Sequence, residues 1–179
     1  MARRYYRRSR TIVRAPRKKW ASNMKIRYLT TDEPVSILAE NSSTNSTPTP
    51  IILKVGNFKV QGDVSLNMST GHPGVLAPSV IVIVFYLPEG VSVSGTTAAT
   101  VVSQHPEWIM AWKQLDLGVA VPNTSGYLAG GSFSVSSRLK RNLNSGDKVC
   151  IACLTDITGT GGTIAVKVNC TSQFWTCAN

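Results

Sequence analysis

Short apolar runs that alternate with polar residues fill the chain from residue 26 onward, and clusters of Pro, Gly, Asn and Ser separate them. This pattern predicts strands and turns, because alternation with a period of two places one side of a strand against a core. About eight strands are predicted, in the segments 26–31, 34–40, 51–62 continued by 63–68, 78–90, 115–121, 133–139, 148–157 and 163–175.

The arrangement of these strands is constrained by what lies between them. No helix of adequate length separates consecutive strands, which excludes a parallel α/β fold. Several strands carry apolar residues on both of their faces, at odd as well as even positions, which is typical of sheets packed face to face. The expected fold class is therefore all-β, an antiparallel β-sandwich, and eight strands fit a single jelly roll best.

One helix is predicted, in SQHPEWIMAW (103–112). Pro106 suits a first helical position, and Glu107 suits the positive end of the helix dipole. Trp108 and Trp112 are four residues apart, which would place both on one helix face. The helix is expected to be short.

The basic charge of the chain is concentrated at its N-terminus. Residues 1–27 hold eleven of the nineteen Lys and Arg residues and no Asp or Glu. The remaining 152 residues carry eight basic and nine acidic side chains, a formal net charge of −1. The sequence thus predicts a basic flexible arm (1–25) on a nearly neutral folded domain (26–179), so contact with a polyanion should run mainly through the arm.

The arm has the composition of a single-strand nucleic-acid binder. Its guanidinium groups can contact phosphate oxygens, and its aromatic rings can stack on bases without reading sequence. A transit peptide is disfavoured because Pro16 interrupts the segment and no apolar stripe is present. A solubilising or nuclear-localising tail and a membrane-surface arm remain alternatives. The candidate nucleic-acid-binding residues are Arg3, Arg4, Tyr5, Tyr6, Arg7, Arg8, Arg10, Arg14, Arg17, Lys18, Lys19 and Trp20.

The folded domain offers no active site in its sequence. The two histidines, His72 and His105, do not have the spacing of metal ligands or of a catalytic pair. Cys150 and Cys153 are three residues apart on a predicted strand and should point to opposite faces, so they cannot close on one metal. No apolar secretory segment is seen, which favours reduced core thiols. No enzyme, catalytic residue, metal or cofactor is expected.

Four segments resemble the capsid proteins of circovirus-like viruses, which have circular single-stranded DNA genomes and encode a replication initiator. They are ARRYYRRSR (2–10), VFYLPEGVSVSG (84–95), HPEWIMAW (105–112) and RLKRNLNSGDKVCIACLTD (138–156). The resemblance implies a single jelly roll that assembles into a closed icosahedral shell of about sixty copies. It also implies an arm that packages single-stranded DNA and acts as a nuclear localisation signal.

The resemblance further implies which partners and compartments to expect. The partners would be other copies of the chain, viral single-stranded DNA, the host nuclear import machinery and a host receptor. The protein would be found in the virion, and in the host nucleus during assembly. Arg138, Lys140 and Arg141 are hypothesised to add contacts to the packaged DNA.

A second function remains open, a nucleic-acid-binding β-barrel that works as a monomer or small oligomer. Such a barrel should carry basic and aromatic residues on one strand face. The strand aromatics Phe58, Phe85, Tyr86 and Phe133 lie among apolar residues and are predicted to be core, which favours the shell. Segments 41–50 and 122–132 are predicted to be exposed loops that tolerate substitution.

Overall fold

The computed structural model describes residues 21–30, 35–42, 52–69, 79–118, 120–123, 126–155 and 164–178. These ranges contain one α-helix, α1 (Ala98–Gln104), followed by a 3-10 helix (Pro106–Trp108). They also contain nine strands: β1 (Ala21–Thr30), β2 (Val35–Glu40), β3 (Leu53–Ser69), β4 (Ser79–Leu87), β5 (Ile109–Asp116), β6 (Val121–Asn123), β7 (Gly126–Leu143), β8 (Lys148–Thr155) and β9 (Ile164–Ala178).

The strands form two sheets in which all neighbours are antiparallel. One sheet has the order β1-β9-β3-β7-β6, and the other has the order β2-β8-β4-β5. The first strand therefore pairs with the last, the second pairs with the second to last, and the chain crosses repeatedly between the sheets. This is the strand order of a jelly roll, with β6 added at one edge. The fold class predicted from the sequence is confirmed.

The main core lies between the two sheets and is built from the alternation seen in the sequence. Val60 and Leu66 of β3 are fully buried and belong to the same apolar cluster as Val82 of β4 and Val168 of β9. Intervening β3 residues such as Gln61 face solvent. Each strand thus places one side chain in two against the opposite sheet, which is what fixes its register.

The aromatic residues predicted to be core are buried as expected. Phe58, Phe85 and Phe133 are at most 5% exposed, and Tyr86 is partly buried against the main cluster. Phe58 stacks on Phe174 of β9, with ring centroids 5.1 Å apart.

A second apolar cluster lies on the other side of the four-stranded sheet, beneath α1. Val101 of the helix is fully buried against this cluster, which includes Phe85, Leu87 and Cys150. The helix begins where the Thr97 hydroxyl accepts a hydrogen bond from the Thr100 N–H at 3.1 Å. No helix in the described part of the chain is long and apolar enough to cross a membrane.

The predicted helix over 103–112 is wrong in position. The helix α1 ends at Gln104, and only the 3-10 turn that starts at Pro106 follows it. Proline has no N–H to continue an α-helix, and from Ile109 onward the chain pairs with β4 instead. Trp108 stacks on the ring of His105 at 3.8 Å, whereas Trp112 lies on a strand and is 62% exposed.

Two further sequence boundaries are wrong. The segment 115–121 is not one strand, because β5 ends at Asp116 and Gly118 has φ +73°, which interrupts an extended backbone. The predicted loop 122–132 is largely strand, since β7 already begins at Gly126 and pairs with β3 as far as Ser69. A Gly- and Ser-rich segment is here held in a sheet by a long partner strand.

A buried carboxylate joins the strand ends at one edge of the sandwich. Asp147, in the turn between β7 and β8, is 3% exposed. Its two oxygens accept from the N–H groups of Glu89 (2.9 Å) and Asn144 (2.8 Å). The hydroxyl of Tyr86 also hydrogen-bonds to it, and burial together with this carboxylate raises the pKa of Tyr86 to about 12. The phenol therefore remains a donor at neutral pH.

Asn41 connects the turn around Asp147 to the end of β2 through hydrogen bonds. Its backbone N–H donates to the carbonyl of Asp147 at 3.1 Å, and its carboxamide donates to the carbonyl of Leu143 at 2.9 Å. The residue is 7% exposed. The prediction that the whole of 41–50 is an exposed loop is thus wrong at Asn41, whereas 43–50 lies outside the described residues.

All four cysteines are free thiols. Cys150 packs beneath α1, whereas Cys153 packs against the main core on the opposite side of the same sheet. The opposite orientation predicted for this pair is confirmed. Burial raises the pKa of both thiols to about 12 and that of Cys170 to about 11, so these three stay protonated at neutral pH.

Candidate nucleic-acid interface

Residues 1–20 of the predicted arm lie outside the described residues, and so do all the candidate binding residues assigned to it. Its boundary at residue 25 also remains a prediction, although β1 already starts at Ala21. The residues concerned are Arg3, Arg4, Tyr5, Tyr6, Arg7, Arg8, Arg10, Arg14, Arg17, Lys18, Lys19 and Trp20.

The point at which the basic segment joins the fold is well defined. Ala21 pairs with Thr176, and Ser22 pairs with Trp175. The chain therefore enters the five-stranded sheet at the end of β9. Residues 1–20 therefore join the domain at this end of the sheet.

The outer face of the five-stranded sheet, the side turned away from the core, carries most of the basic side chains of the described domain. Their register and alternation place five cations and a single carboxylate on this face. Four cations lie together where β3 and β7 pair near Gly56, and we call them the basic corner: Lys54, Lys59, Arg138 and Lys140. The fifth cation, Lys167, and the carboxylate Asp63 lie further along the sheet.

The three basic residues that were hypothesised to contact packaged DNA lie on different sides of β7. Arg138 and Lys140 are exposed on the outer face. Arg141 points the other way, where its guanidinium donates to the carbonyl of Glu107 at 3.0 Å and lies 5.1 Å from the ring centre of Tyr86. Arg141 therefore ties β7 to the 3-10 helix and does not share the outer face with Arg138 and Lys140. The hypothesis that these three residues contact packaged DNA stays a prediction.

Two backbone irregularities shape the basic corner, an extra residue in β7 and a left-handed residue in β3. Gly56 pairs with Lys140, but the next pairs along β3 are Phe58 with Ser137 and Lys59 with Ser136, so β7 contains an extra residue there. Asn57 has φ +52°, a left-handed conformation that asparagine tolerates better than most residues. Bulges of this kind bend a sheet and redirect side chains.

The bulge opens a shallow depression of about 280 Å³ on the outer face. It is lined by Asn57, Phe58, Lys59, Ser136, Ser137 and Arg138. Two of the lining residues, Lys59 and Arg138, are cations. This volume is below the roughly 300–1,000 Å³ of pockets that enclose small-molecule ligands. The depression is therefore better suited to one unit of a polymeric ligand than to a small molecule that the protein fully encloses.

An exposed tryptophan lies in the same region. Trp175 of β9 and Lys140 of β7 flank Gly56 on one rung of the sheet. The stem of Lys140 lies over Gly56, since a Cβ at that position would be 2.8 Å from the Lys140 Cγ. Two strand spacings separate the Cα atoms of Trp175 and Lys140 by roughly 10 Å. The Trp175 side chain is 42% exposed.

Sequence reasoning missed Lys59 and Trp175. The alternation of buried and exposed residues could have placed both on the outer face, because each directly follows a buried residue, Phe58 or Phe174. The four aromatics examined in the sequence are core, but Trp175 lies on the face with the cations.

The described residues hold little that could support catalysis. Within these ranges no three His, Cys, Asp or Glu side chains are grouped so that they could hold a metal ion. His105 is occupied by stacking on Trp108 and by a 3.2 Å contact between its Nδ1 and the Oε1 of Glu107. His72 lies outside the described residues.

No family model matches the sequence, and no curated protein matches it. Among solved structures, the chain is similar to one from mud crab tombus-like virus, with 13% identity, coverage of 94% of both chains and a TM-score of 0.33. It is also similar to a chain from turnip yellow mosaic virus, with 13% identity, coverage of 87% of this chain and 93% of that one, and a TM-score of 0.28. Because both TM-scores are below 0.5, the assignment of the fold rests on the strand order itself.

Proposed function

We propose that this chain is a viral capsid protein that self-assembles into a small icosahedral shell and packages single-stranded DNA through its N-terminal arm. One observation carries the proposal. A jelly roll whose sequence is nearly neutral is joined at Ala21 to twenty residues that hold nine basic and no acidic side chains. The sequence resemblance to circovirus-like capsid proteins supports the same assignment.

The surface of the domain supports self-association. The β6–β7 hairpin at the edge of the five-stranded sheet exposes Val121, Tyr127 and Leu128, which are 63%, 37% and 47% exposed. Exposed apolar residues on an open sheet edge favour contact with another chain. The formal charge of −1 over residues 28–179 supports close packing of copies, since like-charged bodies would repel each other.

The composition of the arm supports its role in packaging. Arginine contacts phosphate oxygens through a planar fork, and each neutralised phosphate releases counterions whatever the base sequence. Tyr5, Tyr6 and Trp20 would add stacking surfaces for unpaired bases. The same basic segment is proposed to act as the nuclear localisation signal, with the host import machinery as its partner.

The experiment that tests packaging changes charge without shortening the chain. Arg3, Arg4, Arg7 and Arg8 are replaced together by Gln in the full-length protein, with the fourfold Arg→Lys variant as the matched control. Because four of the eleven basic residues of 1–27 are lost, nucleic acid per particle should fall by at least about one third in the Gln variant. The Lys variant should retain its load. Equal loading of both variants would contradict the role of the arm.

A second candidate function is a nucleic-acid-binding β-barrel protein that works as a monomer or small oligomer. The basic corner and Trp175 favour it, because a binding barrel carries cations and an aromatic residue on one sheet face. The state of assembly separates the two candidates. Only the capsid protein forms a large, uniform particle.

A further inference from the structure

We propose that the basic corner and Trp175 form a second contact for single-stranded nucleic acid, one that continues across the outer face from the arm. This inference rests on the proposed function, because it assumes that the arm delivers the strand to this end of the sheet. In this arrangement Lys59, Arg138 and Lys140 contact phosphates, and Trp175 stacks on a base.

The charges of the outer face favour a polyanion as its ligand. The described part of this face has five cations against Asp63 alone, and Asp63 is separated from the basic corner by further rungs of β3. Neither Lys59 nor Arg138 forms an ion pair with another described residue. Both side chains are exposed, and both line one depression.

The spacing of the groups fits a strand better than a single small anion. Residues two apart on a β-strand are separated by roughly 6.7 Å, and neighbouring strands by about 4.8 Å. The cations of the basic corner thus cover several such spacings along β3 and β7. The bulge at Asn57 tilts this part of the sheet and opens the depression between Lys59 and Arg138.

Trp175 makes an unpaired strand the preferred form of nucleic acid. Its exposed ring can stack on a base only if the face of that base is free, as it is in a single strand. Gly56 lies between Trp175 and Lys140 and has no side chain, so the stem of Lys140 lies over it, on the side that faces Trp175. A base on Trp175 and a phosphate on Lys140 would therefore be compatible.

The position of the arm supports continuity between the two contacts. Ser22 is the pairing partner of Trp175, so residues 1–20 join the sheet within two positions of the proposed stacking site. Arg17, Lys18 and Lys19 precede Ser22 by three to five residues in the sequence, so a strand that they bind could continue onto the outer face. A second copy of the chain is a weaker occupant, because the folded domain has no excess of negative charge to match the corner.

The first test measures the salt dependence of binding. Full-length protein, held below the concentration at which it forms particles, is titrated with oligo-dT and with oligo-rU of about 30 nucleotides at several salt concentrations. The Lys59→Gln/Arg138→Gln variant should reduce the magnitude of the log Kd against log salt slope by about 1.4, because each phosphate contact contributes about 0.7. The control Lys113→Gln, which removes an exposed charge from the other sheet, should leave the slope unchanged.

The second test concerns stacking. Trp175→Ser should weaken binding of the oligonucleotide at least about fivefold, whereas Trp175→Phe should retain most of the affinity because a ring is kept. Trp112→Ser, at an exposed tryptophan of the other sheet, is the matched control and should bind like the natural protein. Equal effects with oligo-dT and oligo-rU would identify a general single-strand contact. A preference for one would show that the protein recognises the 2′-hydroxyl or the thymine methyl group.

The outcomes separate this inference from the packaging role of the arm. If the fourfold Arg→Gln arm variant reduces the slope but Lys59→Gln/Arg138→Gln does not, the arm binds nucleic acid and the second contact does not exist. If only the corner variant reduces the slope, the second contact stands and the role of the arm is wrong. If Trp175→Ser impairs particle formation but leaves oligonucleotide binding intact, the face is a contact between copies, and the proposal is overturned.

Discussion

Replacement of Asp147 by Ala is expected to lower the free energy of unfolding by about 4 kcal/mol. The carboxylate is buried and accepts from Glu89 N–H, from Asn144 N–H and from the Tyr86 hydroxyl. A hydrogen bond to a charged group contributes about 1.5–3 kcal/mol, and its loss leaves buried donors without a partner. Equilibrium unfolding in denaturant, followed by tryptophan fluorescence, measures the change.

The matched control is Asp116→Ala, which removes an exposed carboxylate at the end of β5. Its effect should lie within about 0.5 kcal/mol. Asp147→Asn should fall between the two, because the amide keeps one acceptor oxygen. A loss below about 1 kcal/mol for Asp147→Ala would mean that water replaces the carboxylate and that the turn does not hold the sheet edge together.

Replacement of Phe58 by Ala is expected to cost about 4 kcal/mol of unfolding free energy. The side chain is 2% exposed, belongs to the main core and stacks on Phe174. Truncation removes buried apolar surface and an aromatic pair, and it leaves a cavity beneath the bulge. The same denaturant measurement applies.

Phe58→Leu serves as the comparison and should cost less than about 1.5 kcal/mol, because most of the volume is kept. Leu139→Ala, at a position 52% exposed on β7, is the surface control and should change stability little. If Phe58→Ala unfolds no more easily than Leu139→Ala, the core beneath the bulge is not packed as described.

The strand content and the jelly roll were predictable because periodicity reports which side chains are buried. Segments such as 78–90 and 163–175 carry their alternation or continuous apolar runs in the sequence itself. The count of strands and the lack of intervening helices then left few arrangements.

The errors arise where partners distant in the sequence decide the structure. The segment 109–112 has a pattern compatible with a helix, but pairing with β4 makes it a strand. The residues from Gly126 to Ser132 have a loop-like composition and are held extended by β3. Local propensity is a weak prior against such pairing. The buried role of Asn41 could not be read from the sequence, because its partners are more than a hundred residues away.

The candidate interface was only half predictable. The basic N-terminal segment is evident from charge alone. The basic corner depends on a bulge that shifts the phase of β7 relative to β3 and on strands that are far apart in the sequence. The hypothesis drawn from the sequence grouped Arg138 and Lys140 with Arg141. The Arg141 side chain, however, lies on the other side of the sheet and donates to the carbonyl of Glu107.

Sedimentation of the purified full-length protein, read together with its ratio of absorbance at 260 and 280 nm, tests the central claim most directly. If the chain is a capsid protein that packages nucleic acid, it will sediment as a large, homogeneous particle whose absorbance ratio shows nucleic acid inside. A slowly sedimenting monomer or small oligomer that binds single-stranded nucleic acid in a salt-dependent manner would contradict the capsid role and establish the alternative function.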